Sequence, residues 1–234
     1  MFIGHAAVAL IGKRGAPRTS LGVLLAAATF LDLLWPVFLL TGWERVRIDP
    51  GNTAVTPLDF VSYPLSHSLL AVLGWSLAAA VVYYVVTQYG YGAWTVGLLV
   101  LSHWVLDWLT HRPDLPLWPG GPRTGMGMWH SVPATVIVEL LLFAVGLAVY
   151  VGTTRSRDAI GRWAFWGLMA FYLAVYAANL FGPPPPHERA IAWAGLLMWL
   201  FPLWAWWADA HREVTPQLPE TAYGSVQRAP STEP

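Results

Sequence analysis

Apolar residues along this chain occur in long runs, which short polar stretches separate. A helix needs about 20 apolar residues to cross the hydrocarbon core of a bilayer. The pattern predicts six helices of that length, over residues 21–40, 66–87, 91–111, 131–151, 163–181 and 190–207. Pro36 is expected to kink the first of them. The predicted fold class is therefore all-α, a polytopic membrane helical bundle.

The two ends of the chain differ from these runs. Residues 1–12 are apolar but too short to span a bilayer, so they predict a short N-terminal embedded or interfacial helix that carries His5. The tail, residues 212–234, is polar and contains several prolines, and we expect it to be disordered. Residues 1–211 are predicted to form one membrane-embedded domain.

Composition agrees with the pattern and narrows the chemistry. Hydrophobic residues make up 56% of the 234 residues and charged residues only 11%, whereas a soluble domain has about 25% charged residues. The formal net charge is zero, which gives no electrostatic basis for binding nucleic acid. Cysteine is absent, so any metal ion has to be held by His, Asp, Glu or backbone groups.

Basic residues give the predicted helices an orientation. With six spans, the basic loops at 13–18 and 152–162 fall on the same side of the membrane, which the positive-inside rule makes cytoplasmic. The loops at 41–65, 112–129 and 182–189 then face outward. We expect a multi-pass protein of the cell (inner) membrane.

Several ionisable residues lie inside or at the ends of these apolar runs. His103, Asp107 and His111 are spaced four residues apart, which places them on one face of the third predicted helix. Ionisable residues in membrane helices are costly and mark functional sites. The predicted topology brings further groups to the same outer half of the bundle, namely Asp32, His67 and His130, and His5 can reach it from the other side.

Each candidate metal ligand has a plainer alternative. The His103–Asp107 pair suits one metal ion, but it also suits a hydrogen bond that holds two helices together. Asp32 needs a partner among Leu and Trp residues, and that partner could be a metal, a proton relay or an arginine. His67 could be an interfacial histidine beside a capping serine.

Asp107 is a candidate for a catalytic role, and three further residues are candidates as well. Glu139 lies within an apolar run. It could serve as an added metal ligand, as a general base, or as a carboxylic acid kept neutral by burial. His111 and His130 are ligands, groups that face a phosphate, or solvated interfacial histidines. The sequence leaves these alternatives open.

The order of these residues carries a family resemblance. His5, Asp32, the string Ser66-His67-Ser68 and the motif His103-x-x-x-Asp107-x-x-Thr110 follow one another along the first half of the chain. In this the chain resembles the bacterial and archaeal inner-membrane metal-dependent hydrolases, a family long catalogued as a domain of unknown function and similar to the zinc-dependent phospholipase C superfamily.

The resemblance implies one or two divalent ions, with zinc expected. Asp32, His67, His103 and Asp107 would surround one ion. Asp107 and His5 would share a second, with the amino terminus or water as a further ligand. A third zinc site, as in the phospholipases, requires a further His-x-x-x-Glu motif. Here Glu139 lies nine residues after His130 instead of four, which puts a third ion in doubt.

The function that these observations predict is a membrane-embedded hydrolase. We expect it to cleave a phosphoester of a membrane lipid or lipid-linked substrate with a metal-activated water. Two alternatives remain, an ion-coupled transporter and a non-catalytic membrane protein with a metal-stapled core.

Overall fold

The computed structural model describes residues 1–215, and helices dominate them. Three short antiparallel strand pairs lie in the loops and form no larger sheet. The helices are α1 Ile3–Gly15, α2 Leu21–Ala28, α3 Phe30–Thr41, α4 Pro64–His67, α5 Leu69–Thr87, α6 Gly90–Thr110, α7 Val132–Thr153, α8 Ala159–Phe181, α9 Glu188–Leu196 and α10 Leu200–Ala210. The strands are β1 Arg45–Ile48, β2 Leu58–Ser62, β3 Leu115–Pro116, β4 Arg123–Thr124, β5 Thr154–Ser156 and β6 Arg212–Val214.

The helices confirm an all-α, multi-pass membrane bundle. Five helical segments are long and apolar enough to cross a bilayer, and the last of them runs from α9 through a 3₁₀ turn into α10. The bent pair α2 and α3 provides the sixth if it counts as one span. Large apolar side chains cover the outer surface, as lipid-facing helices require; α5 is the extreme case, with only 6% of its span buried.

The first span is broken where the sequence does not predict it. We expected a kink at Pro36, but α3 continues through Pro36, and the 57° bend lies at Thr29 between α2 and α3. The Thr29 hydroxyl donates a 2.8 Å hydrogen bond to the carbonyl of Leu25, a local bond that competes with continued helix. The break puts Asp32 in the first turn of α3, where the helix dipole favours a carboxylate.

Helix α1 lies in the centre of the bundle. It packs most extensively against α7 and also contacts α2 and α6. Small residues permit the close approach, since a Cβ on Gly146 of α7 would lie 2.6 Å from the carbonyl oxygen of Ala7. His5 is fully buried there. The prediction of a short embedded N-terminal helix is confirmed.

The loops predicted to share one side do meet at one end of the bundle. The amide of Ala54 donates to the carbonyl of Trp129 at 3.0 Å, which joins the loops 41–65 and 112–129. The start of α9 lines a common cavity with β1. These contacts bring all three loops of the predicted outward set together.

The opposite end collects the basic loops. The guanidinium of Arg18 lies 4.7 Å from the ring centroid of Tyr89, and Lys13 forms a 2.7 Å ion pair with Asp209. Strands β5 and β6 pair at the same end. The grouping of loops by side therefore agrees with the grouping that the charge pattern predicts.

The ordered domain extends past the predicted boundary at residue 211. Residues 212–214 form β6 instead of starting a disordered tail, because Arg212 is buried and donates hydrogen bonds to Thr154, Ser156 and Gly161. The rest of the predicted tail, residues 216–234, lies outside the described residues.

Candidate metal centre

Four helices bring histidines and carboxylates together inside the bundle. The residues come from α1, α3, α4 and α6, and they form two overlapping groups whose ligand atoms lie within 4.8 Å of one another, His5–His103–Asp107 and Asp32–His67–His103. All five metal ligands predicted from the sequence are therefore in the cluster. Four of them are at most 3% exposed, while the side chain of Asp32 is 25% exposed and marks the open side.

Asp107 is at the centre, and its two oxygens face different partners. Oδ1 lies 2.6 Å from the Met1 α-amino nitrogen and 3.1 Å from Nε2 of His5. Oδ2 lies 3.1 Å from Nε2 of His103 and 3.7 Å from Nε2 of His67. A carboxylate placed in this way can join two adjacent cation positions.

The proton of His103 is held away from the cluster. Its Nδ1 lies 2.8 Å from the carbonyl oxygen of Ala28, so Nδ1 carries the hydrogen and donates. Ala28 is the last residue of α2, where the carbonyls lack partners within the helix. The break at Thr29 thus supplies the acceptor, and Nε2 of His103 presents a lone pair to the carboxylates.

His67 is held in the same tautomer by a different chain of hydrogen bonds. The Ser66 hydroxyl donates to Oε2 of Glu44 at 2.6 Å, and Nδ1 of His67 lies 2.7 Å from the same hydroxyl. Because the hydroxyl hydrogen is used by the Glu44 carboxylate, Nδ1 of His67 has to be the donor. Its Nε2 then also faces the cluster as a lone pair. Such outer partners are typical of metal-binding histidines.

In the cluster, the imidazole lone pairs of neutral histidines consequently face carboxylate oxygens, which are also acceptors. Nε2 of His67 and of His103 each lie 3.7 Å from Oδ1 of Asp32, and Nε2 of His103 has no hydrogen-bond partner of suitable geometry although it is fully buried. Tetrahedral zinc with bonds of about 2.0–2.1 Å sets its ligand atoms about 3.3 Å apart. The Nε2 atoms of His67 and His103 lie 3.1–3.7 Å from the carboxylate oxygens of Asp32 and Asp107, and these four separations fit that requirement.

His5 occupies the second side of Asp107. Its ring is stacked on that of His103, with centroids 3.7 Å apart and planes 7° from parallel. Its Nδ1 is buried without a hydrogen-bond partner. His5 thus lies beside Asp107, which is the position that the family resemblance implies for it.

His111 faces the cluster from just beyond the end of α6. Its Nε2 lies 3.9 Å from Oδ2 of Asp107, and its Nδ1 is 3.0 Å from Oδ1 of Asp114. Tyr63 donates a 2.8 Å hydrogen bond to the same Asp114 oxygen. Burial lowers the pKa of His111, against the raising effect of Asp114. Burial would raise the pKa of Asp114, but hydrogen bonds from His111 and Tyr63 lower it. His111 is therefore an oriented imidazole whose second nitrogen faces the ligands.

Glu139 has a different position from that of the other candidates. Its Oε2 accepts hydrogen bonds from the backbone amides of Phe2 and Gly4, at 2.9 and 3.1 Å. The carboxylate thus caps the start of α1 and ties this helix to α7. In the structure Glu139 holds the helix that carries His5.

His130 is not part of the cluster. It ends a 3₁₀ turn, Met128–His130, and its side chain is exposed. Its neighbour in the outer loops, Arg112, is fully engaged, since its guanidinium donates to Asn52, Asp59 and Asp114. The structure therefore brings His111 to the cluster and leaves His130 outside it.

Sequence reasoning missed three residues that orient the cluster: Glu44, Tyr63 and Asp114. They lie far from their partners along the chain or in irregular loops, where helical spacing gives no signal. Asp114 is the exception, because it follows His111 by three residues and a carboxylate so close to a candidate histidine is a usable signal. Nothing in the local sequence around Glu44 indicates its bond to Ser66.

No family model, curated protein or solved structure matches the chain. The family resemblance seen in the sequence therefore stays a prediction, and the assignment of function depends on the geometry of the cluster.

Proposed function

We propose that this protein is a membrane-embedded, metal-dependent hydrolase that cleaves a phosphoester of a lipid or lipid-linked substrate in the inner membrane. The observation that carries the proposal is the pair of imidazoles, His67 and His103, whose Nε2 lone pairs face the carboxylates of Asp32 and Asp107 inside the bundle. Facing acceptors in a buried site are costly unless a metal ion or a proton lies between them, and the shared geometry of four ligand atoms favours the metal ion. With no sulfur ligand present, the N and O donor set suits zinc.

One or two ions fit the residues present. Asp32, His67, His103 and Oδ2 of Asp107 would hold the first. Oδ1 of Asp107 and His5 would hold the second, together with the Met1 amino group, which lies 2.6 Å from Oδ1 and would have to be neutral there. A bound ion of this type supplies Lewis acidity and makes a water molecule acidic enough to deprotonate near pH 7. The protein supplies the fixed tautomers, through Ala28 and Ser66, and the negative charge that offsets the cations.

The residues around the cluster have distinct tasks in this proposal. His111, held at Nδ1 by Asp114, presents Nε2 towards Asp107 and is placed to accept or return a proton there. Glu139 keeps α1 and thus His5 in position. Neither task needs a group from outside residues 1–215.

The open side of the cluster supports a lipid-type substrate. Asp32 is the partly exposed member, and it lies nine residues before the end of α3, which is about 14 Å along the helix axis. A substrate that reaches this depth in a spanning segment has to be compatible with the surrounding apolar helices. A phosphoester joined to a hydrophobic chain meets that condition.

Metal analysis together with a lipid phosphate release assay tests the proposal. The full-length protein in detergent is analysed for bound metals and then incubated with phosphatidic acid and phosphatidylglycerol. We expect one or two equivalents of a divalent metal, and turnover that a chelator abolishes and added metal restores. Asp107→Asn should lose both metal and turnover, while Asp49→Asn, an exposed carboxylate in the same half, should keep both.

The other outcomes separate the alternatives. Metal without turnover, together with unfolding on chelation, would indicate a metal-stapled core and reject the hydrolase. Metal flux into liposomes without lipid cleavage would indicate a carrier. Absence of bound metal would mean that the cluster is a hydrogen-bonded network only.

A further inference from the structure

A cavity of about 560 Å³ opens at the end of the bundle where the loops 41–65 and 112–129 meet. Its walls are the last turn of α3, the hairpin of β1 and β2, and the first turn of α9. A volume of this size is typical of small-ligand sites. Of the residues that position the metal cluster, only Glu44 lines it.

Positive charge dominates the polar part of this wall. Arg45, Arg47 and Arg189 line the cavity and are exposed. Within residues 1–215, Arg45 and Arg189 form no salt bridge, while Arg47 shares Asp59 with Arg112. Two guanidinium groups are thus left to bind an anion from outside the chain.

The acidic residues of the wall do not neutralise these arginines. Glu44 is only 2% exposed, and its carboxylate accepts hydrogen bonds from the amides of Leu65 and Ser66 and from the Ser66 hydroxyl. Glu188 is the other carboxylate of the wall and is exposed. Within residues 1–215, neither glutamate forms a salt bridge with Arg45 or Arg189, and of the two only Glu188 is exposed.

The remaining wall is apolar and lies at the level where the helices leave the membrane. Leu39 and Leu40 occupy the last turn of α3. Two tryptophans at this level, Trp43 and Trp193, are 64% and 62% exposed, as aromatic residues at a membrane interface are. The cavity therefore combines guanidinium groups with an apolar wall at headgroup depth.

We propose that this cavity binds an anionic phospholipid, with its phosphate on Arg45 and Arg189 and an acyl chain along Leu39 and Leu40. The guanidinium groups match the phosphate in charge and geometry. The apolar wall favours an anion that carries a hydrophobic chain over a free inorganic anion. This binding site does not depend on the proposed hydrolase activity.

Native mass spectrometry of the full-length protein in detergent tests the site. Phosphatidylglycerol and phosphatidylcholine are titrated separately, with binding read as lipid adducts at each concentration. We expect saturable binding of phosphatidylglycerol in preference to phosphatidylcholine. Since each interfacial arginine contributes about fivefold in affinity, the double variant Arg45→Gln/Arg189→Gln should bind phosphatidylglycerol about 25-fold more weakly.

A matched control removes the same charge elsewhere. Arg14 and Arg162 are exposed at the opposite end of the bundle. The double variant Arg14→Gln/Arg162→Gln should bind phosphatidylglycerol with the wild-type affinity. Excess inorganic phosphate should fail to displace the lipid. Equal losses in the two double variants, equal binding of the two lipids, or displacement by phosphate alone would each overturn the proposal. Metal content, measured on the same samples, reports the cluster separately and should be unchanged in all of them.

Discussion

Asp107 and Asp209 are two buried carboxylates that pair with side chains of α1, one towards each end of the bundle, and their surroundings differ. Asp209 accepts from Nζ of Lys13 at 2.7 Å, from the amide of Leu21 at 3.0 Å and from the hydroxyl of Tyr150 at 2.5 Å. Every acceptor there has a donor, and one positive charge balances one negative charge. A group of this kind needs nothing from outside the chain.

The cluster around Asp107 is paired only in part, because Oδ1 lies 2.6 Å from the Met1 α-amino nitrogen whereas Oδ2 faces two imidazoles. The donors of His67 and His103 are directed outward, to Ser66 and Ala28, so that their lone pairs face Asp107 and Asp32. The comparison shows how a structural ion pair can be told from a candidate cation site in one protein. Asp107 and Asp209 are both buried, and the direction of the hydrogen bonds around them differs.

The largest effect that we expect breaks the balanced site. Asp209→Ala removes the partner of the buried Lys13 and should lower the free energy of unfolding by about 3–5 kcal/mol. Denaturant unfolding in detergent measures it. Metal content per folded molecule should stay at the wild-type level, and the double variant Lys13→Met/Asp209→Leu should recover part of the loss. A stable Asp209→Ala variant would contradict the structural role of this pair.

The second prediction removes the charge of the unbalanced site. Asp107→Asn keeps the size of the side chain but loses the negative charge that faces both ion positions, so it should cost more bound metal than His5→Ala. His5→Ala should empty only the position beside Oδ1. Elemental analysis of the two purified variants measures the difference. Wild-type metal content in Asp107→Asn would remove the basis of the site.

The third prediction reverses one hydrogen bond outside the ligands. In Glu44→Gln the amide can donate to Ser66, whose hydroxyl is then free to donate to Nδ1 of His67, which moves the histidine hydrogen to Nε2. Metal affinity should fall about 10–100-fold. Glu139→Gln is the matched control, because it is an equally buried glutamate that caps α1. Competitive titration with a chelating dye should show almost no change for Glu139→Gln, and equal losses in both variants would argue against the relay through Ser66.

The smallest effect concerns the exposed pair of Asp158 and His211, which resembles the buried pair of Lys13 and Asp209. Asp158 caps α8, and the amide of Gly161, followed by His211, lowers its pKa below the usual value. A lowered carboxyl pKa contributes stability above the usual value of about 3.9, and this contribution is lost as the pH falls through the folded-state pKa. The difference in melting temperature between wild type and Asp158→Ala should therefore shrink below about pH 4. A difference that grows towards acid pH would contradict this assignment.

The sequence predicts the spans, and it also predicts which side chains meet in the cluster, since ionisable residues stand out within apolar runs. Apolar runs set the helices, and the spacing of His103 and Asp107 places both on one helix face. The break at Thr29 escapes this reasoning, since a threonine in an apolar run resembles any other helical residue while Pro36 gives a stronger but misleading signal. The burial of α1 was expected, but its central position depends on packing against Gly146, which no local pattern reports.

The orienting residues could not be predicted for a related reason. Glu44 lies 22 residues before Ser66, in a loop between elements, and their contact depends on how the β1–β2 hairpin folds back over the bundle. Glu139 was assigned a possible chemical role because an isolated carboxylate in an apolar helix demands a partner. The partner is the free amides at the start of α1, and only the packing of α1 against α7 reveals it.

The position of α1 also sets an order of events during synthesis. Its first turn is capped by Glu139, which lies 135 residues after Gly4 in the chain. The ribosome makes α1 before α7, yet the amides at the start of α1 lack their hydrogen-bond acceptor until α7 has entered the membrane. His5 can therefore join Asp107 only late in assembly, and the completed His/Asp cluster is a sign that the whole bundle has come together.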